Sequence, residues 1–216
     1  RTGLPSFLVT LGTFFVLQGA NLAVTRLVGG TVSTPTISDM DGYASAQQVF
    51  AWSVSVGPVT IKSLVVYWLV MVVIGSLVLQ RTRIGNWIFA VGGDAAAARA
   101  VGVPVTRVKI GLFMTVGFCA WMLGMHLLFS YQVMQSGEGV GQEFIYIIAA
   151  VVGGCLLTGG YGSVVGAALG ALIFGMTRMG INYAGWNVDW FFTFLGVMLL
   201  LATLVNLYVK KKADAR

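Results

Sequence analysis

Few side chains in this 216-residue sequence are spaced to do chemistry. Ser163 opens one apolar run and His126 lies inside another; a serine at a helix start facing an imidazole is the minimum of a nucleophile with its base. His126 also falls on one helical face with Cys119, but two ligands do not complete a metal site, and a histidine packed between helices accounts for the position more simply. Gly160-x-Gly162-x-x-x-Gly166 follows an apolar run as a dinucleotide fingerprint does. No alternation of strand and helix surrounds it, which sets a nucleotide site aside. No Gly-Lys-Ser/Thr phosphate loop is present either, so the chain is expected to hold no cofactor and to carry no ATPase site. An ion-coupled carrier needs ionisable groups inside its spans; here the acids sit in loops or at span edges, and Arg178 is the one basic residue deep enough to matter.

The most definite local signal is a polar island, Gly92-Gly-Asp-Ala-Ala-Ala-Ala-Arg-Ala-Val-Gly-Val-Pro104, between two greasy stretches. Asp94 is a good N-cap, the alanines have the strongest helix propensity, Arg99 suits the last turn, and Gly102 with Pro104 supplies the stop. A short helix with firm ends is expected, inside a basic loop over residues 81–107 that carries Arg81, Arg83, Arg107 and Lys109. Such a loop offers Asp94, Ala97, Arg99, Ala100, Gly102 and Pro104 to a soluble partner.

The elements that must hold this loop are membrane spans. The chain is 57% hydrophobic and 9% charged, with mean hydropathy +0.88. Its net charge of +6 would suggest nucleic acid in a soluble protein, but here the basic residues flank spans, so lipid is the expected partner and nucleic acid is not. Spans are expected at Phe7–Val28, Ile61–Gln80, Val108–Tyr131, Val164–Ile181 and Trp190–Val209, with Phe144–Leu157 short for a crossing. The fold class is an all-α, polytopic transmembrane bundle of about six spans, with residues 144–181 as a full or a broken, re-entrant pair. Residues 31–60 read as a long, mostly polar connection with one apolar patch, Val49–Val56. The opening Arg-Thr-Gly-Leu-Pro has no initiator methionine and no signal-peptide pattern, from which we expect the chain to begin inside a longer one.

Basic residues set the orientation. Arg1, Arg81, Arg83, Arg99, Arg107, Lys109, Lys210, Lys211, Lys212 and Arg216 fall on one side with Asp94 and Asp214. Asp39, Asp41, Glu138, Glu143 and Asp189 fall on the other, opposed by Lys62. The first side is expected to be cytoplasmic, and the C-terminus with it.

Two further groups stand out. Gly162, Gly166 and Gly170 recur every fourth residue beside Ala167 and Ala171, preceded by Gly153, Gly154, Gly159 and Gly160. This is the pattern of a close helix contact in lipid or of a broken helix that gates a path. Gln18 and Asn21 are polar positions on the first span, candidates either for a substrate path or for bonds to neighbouring helices.

The runs Ile88-Phe-Ala-Val-Gly-Gly-Asp-Ala-Ala-Ala-Ala-Arg-Ala-Val-Gly-Val and Ile148-Ala-Ala-Val-Val-Gly-Gly-Cys-Leu-Leu-Thr-Gly-Gly-Tyr-Gly-Ser-Val-Val-Gly-Ala-Ala-Leu-Gly-Ala-Leu resemble the permease subunits of bacterial binding-protein-dependent sugar ABC importers of the ribose/xylose type, within the branched-chain amino acid permease superfamily. The likeness covers essentially the whole chain as the C-terminal part of such a permease, without its N-terminal spans. It implies a single transmembrane permease domain over residues 1–216 in the bacterial inner membrane. A second permease chain, a separate ATP-hydrolysing subunit and a periplasmic sugar-binding protein are the implied partners, with the helix after Asp94 docking on the ATPase. In the family Asn often stands at the position of Asp94, Thr and Ser commonly stand at Cys155 and Leu156, and many members have an acid at Tyr146. The competing readings are an ion-coupled secondary transporter or channel and, more remotely, an intramembrane serine protease using Ser163 and His126, although rhomboid proteases place serine before histidine.

Overall fold

The computed structural model describes residues 6–187 and 189–214; Arg1, Arg216 and the rest of the opening Arg-Thr-Gly-Leu-Pro lie outside the described residues. The order is α1 (Ser6–Gly29), α2 (Tyr43–Phe50), β1 (Ser53–Val56), β2 (Val59–Lys62), α3 (Ser63–Arg81), α4 (Arg83–Gly93), α5 (Ala95–Ala100), α6 (Val105–Tyr131), α7 (Gln142–Val152), α8 (Val164–Tyr183) and α9 (Trp190–Asp214). The protein is mostly helical, even where local propensity is indifferent. The β-branched run of α3, with Val65, Val66, Val70, Val72, Val73 and Ile74, is helical because lipid offers its backbone no outside partner.

Among the described residues four helices are long and apolar enough to cross a membrane: α1 over Leu8–Gly29, α3, α6 and α8. Where the sequence suggested about six spans, the two remaining apolar helices are shorter. α7 has 11 residues, and the apolar part of α9 is Trp190–Asn206. The rise of α7 is about 16 Å against a hydrocarbon core about 30 Å thick. Its helix stops at Val152, short of the expected Leu157, because Gly154 N donates to Val151 O (2.9 Å) and Cys155 N to Ala150 O (3.1 Å), which turns the chain off the axis.

Inside the long helices several threonines bond back onto their own helix. The hydroxyls of Thr13, Thr25, Thr115, Thr177 and Thr203 donate to the carbonyls of Val9, Asn21, Gly111, Ile173 and Leu199, each four residues back, at 2.7–2.9 Å. Tyr183, Trp186, Trp190 and Phe192 are exposed around the α8–α9 turn, as aromatic residues are at a headgroup boundary.

The chain divides into two units. The first is Arg1–Val66 with Phe118–Val140. Here the reading of residues 31–60 as a connection needs correction. Residues expected to be a polar connection form a hairpin, with Ser53, Val54, Ser55 and Val56 paired to Lys62, Ile61, Thr60 and Val59. Its turn is Gly57-Pro58, with Gly57 at φ 62, a conformation that suits the twist of a two-residue hairpin loop. Residues 32–36 also pair with 132–136 in extended form, through Ser136 N to Val32 O (2.9 Å) and Thr34 N to Met134 O (2.9 Å). Aromatic rings hold α2 down: Phe50 stacks on Phe129 (5.8 Å, 9°) and meets Trp121 edge-on (5.8 Å, 87°).

The second unit is Tyr67–Gly117 with Gly141–Arg216. One of its cores joins α7, α8 and α9: Ile181, Phe191 and Leu195 are buried, with Ile145, Ile148 and Phe174 packed against them. The other lies under the loop after α3.

Candidate functional site

The loop expected to carry one capped helix carries two. Thr82 caps α4, its hydroxyl accepting from Gly85 N at 3.3 Å. α5 follows after Asp94 alone, whose Oδ1 accepts from Ala96 N (2.8 Å) and Ala97 N (3.0 Å). Those two amides, Ala97 first, hold the Asp94 carboxyl below its ordinary value of 3.8. At the other end Gly102 takes φ 85; its N–H donates to Arg99 O (3.1 Å) and Val103 N to Ala98 O (3.0 Å), the paired bonds of a Schellman stop. Pro104 then leads into α6.

Packing divides the six residues of α5 into two faces. Ala98 is 4% exposed and shares a buried cluster with Val91 of α4 and Val105 and Val108 of α6; Ile88, Ala95 and Val103 pack against it. Ala96, Ala97, Arg99 and Ala100 are exposed, and Val101, just past the helix, is 80% exposed. The underside is therefore welded to its neighbours, while the outer face is smooth, with one long cation and one apolar knob. Arg81, Arg83, Arg107 and Lys109 are exposed around it.

The glycine region lies against this loop, which the sequence did not reveal. A Cβ on Gly92, near the end of α4, would stand 2.7 Å from Gly160 N; one on Gly160 would stand 2.8 Å from Gly93 Cα, and one on Gly159 2.5 Å from Gly92 O. The end of α4 and the turn before α8 meet backbone on backbone. Beyond the turn, α7 and α8 meet in the same way. A Cβ on Gly166 would overlap Gly153 O, one on Gly153 would overlap Gly166 O, and one on Gly170 would overlap Ala149 O. Gly162 faces Cys155, whose Sγ would be 2.9 Å from an added Cβ, and Gly154 has open space around it. A cavity of about 100 Å³ borders the same turn, lined in part by Val151, Cys155, Leu157, Thr158, Thr203 and Asn206. Asn206 Nδ2 closes its α7 side by donating to Val151 O (3.1 Å).

The remaining sequence candidates have other employment. Ser163 caps α8, accepting from Gly166 N at 2.9 Å. His126 is 5% exposed and donates from Nδ1 to Phe50 O (2.8 Å), a carbonyl that can only accept; its Nε2 is left facing Ser130 Oγ (3.3 Å). Ser63, fully buried, donates to the same Phe50 carbonyl (3.0 Å) and lies 3.3 Å from Nδ1. Ser163 thus serves as a cap and His126 as part of a clasp. The Gly160–Gly166 run follows helix α7 and not a strand, so the nucleotide context is missing. Asn21 Nδ2 donates to Ser136 O (2.5 Å), a bond to a neighbouring segment, and Gln18 is exposed on α1. Arg178 rests over the Phe191 ring, 5.8 Å from its centroid. The His126–Ser63–Phe50 clasp and the hairpin were not foreseen. The alternation Ser-Val-Ser-Val-Gly-Pro-Val-Thr-Ile-Lys was the available signal for the hairpin.

Comparison with known proteins places these elements in context. Residues 1–203 match a family described as branched-chain amino acid transport system / permease component. The fructose import permease protein FrcC of Rhizobium meliloti is 30% identical over 213 residues, covering 99% of this chain and 58% of that protein. The ribose import permease protein RbsC of Escherichia coli K12 is 30% identical over 201 residues, 93% of this chain and 60% of the relative. The galactose/methyl galactoside import permease protein MglC of Haemophilus influenzae is 29% identical over 208 residues, 95% of this chain and 60% of the relative. The chain therefore spans less than two thirds of the length of the curated relatives it matches. No solved structure matches it.

Proposed function

Because this chain belongs to the branched-chain amino acid transport system / permease component family, we propose that it is the membrane-embedded part of an ATP-driven importer subunit, forming the path for a simple sugar. The names of the relatives, which import fructose, ribose and galactose or methyl galactoside, support a monosaccharide over an amino acid as cargo. In this reading residues 1–216 belong to one permease domain of the bacterial inner membrane with about six spans, residues 144–181 making a full or a broken, re-entrant pair, and the C-terminus is cytoplasmic. The partners are a separate ATP-hydrolysing subunit, a periplasmic sugar-binding protein and a second permease chain.

The observation that carries the proposal is the two-faced helix α5. A partner that changes shape on ATP hydrolysis can move a membrane subunit only through something stiff. Asp94 and Gly102 fix the ends of α5, and Ala98 anchors its underside. Its exposed alanines admit close approach, and Arg99 reaches for an acidic groove. Asp94, Ala97, Arg99, Ala100, Gly102 and Pro104 are the coupling residues of this proposal. The glycines from Gly153 to Gly170 are its packing or gating elements, with Gln18 and Asn21 as the pathway candidates on α1, Asn21 also donating to Ser136 O.

The test is uptake by the full-length permease reconstituted with its ATPase and binding protein against a panel of pentoses and hexoses. ATP-dependent accumulation of one sugar, absent when the ATPase is omitted, is expected; uptake by the permease alone would instead make it a carrier. Orientation has its own check: a cysteine at Ala97 should be shielded from impermeant reagents in intact cells, and one at Ser45, exposed on α2, should be labelled.

A further inference from the structure

We infer that the contact of Gly92 with Gly159–Gly160 is the point through which movement of the docking loop reaches the break between α7 and α8. The inference rests on the importer reading above and deepens it, by naming where the push leaves the loop.

Three features of the contact support it. First, it has no cushion. Side chains absorb small displacements by changing rotamer, whereas here the backbone of α4 bears on the backbone of the turn, with no room for a Cβ at Gly92, Gly159 or Gly160. Second, both sides are stiff. α4 is joined to α5 through Asp94 and the buried cluster of Val91 and Ala98, so α4 and the docking face move together. The turn is closed by Gly159 N to Leu156 O (3.0 Å) and Leu156 N to Tyr161 O (3.1 Å), with Gly159 and Gly160 at φ 83 and 78, which side-chain-bearing residues rarely adopt. Third, the turn has room to yield. The cavity of about 100 Å³ lined by Thr158, Thr203 and Asn206 borders the same turn. A displaced turn carries with it both α7, ending at Val152, and α8, beginning at Val164.

The neighbouring glycines provide the test. An Ala at Gly92 would press its Cβ to 2.7 Å from Gly160 N, while one at Gly93 has its nearest neighbour at 3.9 Å, ordinary contact; neither glycine has positive φ. In the full reconstituted complex, Gly92→Ala should still assemble and hydrolyse ATP but should lose most of the sugar moved per ATP. Gly93→Ala should match the native ratio. A second measurement covers the case in which Gly92→Ala does not assemble. With Cys119 and Cys155 replaced by alanine, a fluorophore on Thr158→Cys, at an exposed position of the turn, should change emission when ATP binds the complex. Native coupling in Gly92→Ala overturns the inference alone, and so does a Thr158 probe blind to ATP in a complex that transports. A native complex with no ATP-dependent uptake overturns the importer reading, and this inference with it.

Discussion

The two units of this protein hold separate pieces of chain together by opposite means. In the first unit the ties are side chains reaching across: His126 and Ser63 to the Phe50 carbonyl, Tyr43 to the Phe129 carbonyl, Gln132 to the Tyr43 hydroxyl, Asn21 to the Ser136 carbonyl. In the second, the decisive contacts at α4, α7 and α8 use almost no side chain; glycine backbones touch. A side-chain tie fails gradually, because losing one donor leaves the others in place. A backbone contact fails abruptly, because a single added carbon has nowhere to go. The first arrangement suits a unit that must stay folded, and the second suits parts that, in the proposed importer, move as rigid pieces.

That contrast predicts a ranking of effects on stability. The largest belongs to the α7–α8 contact. Gly170→Leu or Gly166→Leu must overlap a carbonyl across the interface, at a cost of ~1–3 kcal/mol or more, and should sharply reduce the yield of monodisperse protein in detergent. Native yield and melting temperature for both would mean that this face does not bear load. Next comes the clasp in the first unit. His126→Ala leaves the Phe50 carbonyl with Ser63 as its remaining side-chain donor, at a cost of roughly 0.5–1.5 kcal/mol. Combined with Ser63→Ala, its effect should be visibly non-additive, since both bond one oxygen; strict additivity in a double-mutant cycle would show that the two act independently.

The Asp94 cap should give a smaller and local effect. Its folded-state carboxyl titrates below the unfolded value, so its contribution is fully present above the unfolded value and fades as pH falls through the folded one. Hydrogen exchange of the Ala96 and Ala97 amides, corrected for intrinsic rate, should accelerate over that acid window. In Asp94→Asn, which caps without titrating, it should not; the same acceleration in both would assign the opening to something other than the cap.

The smallest effect on stability, and the largest on transport, should come from the exposed face of α5. Ala97→Trp and Arg99→Glu bury nothing in this chain and should stay within about 0.5 kcal/mol of native stability while abolishing ATP-driven uptake. Normal uptake by both variants would reduce this loop to a connector.

How much of this was legible in the sequence follows from the range of each interaction. The cap at Asp94 and the stop at Gly102 are local, satisfied within a few residues of themselves, and the sequence read them correctly. Most helix boundaries were legible too, since they depend on composition; α1, α3, α6 and α8 begin and end within three residues of expectation. α4 was not foreseen because Gly85, Gly92 and Gly93 break its apparent helical character, while Gly85 and Gly92 answer to close backbone approaches instead. Gly85 passes close to Leu79, while Gly92 and Gly93 meet the turn at Gly160. The hairpin was missed because its alternation sits in a stretch that looked polar overall. The meeting of Gly92 with Gly160 joins positions far apart in sequence and leaves no mark in either neighbourhood.

The backward-bonded threonines bear on how such a chain is made. Thr13, Thr25, Thr115, Thr177 and Thr203 each settle their hydroxyl on their own helix, so α1, α6, α8 and α9 need no neighbour to hide those groups when they leave the translocation machinery. Such helices can enter the bilayer one at a time, in the order of synthesis, and wait there. Assembly is then free to be decided later, in the plane of the membrane, by whichever surfaces fit.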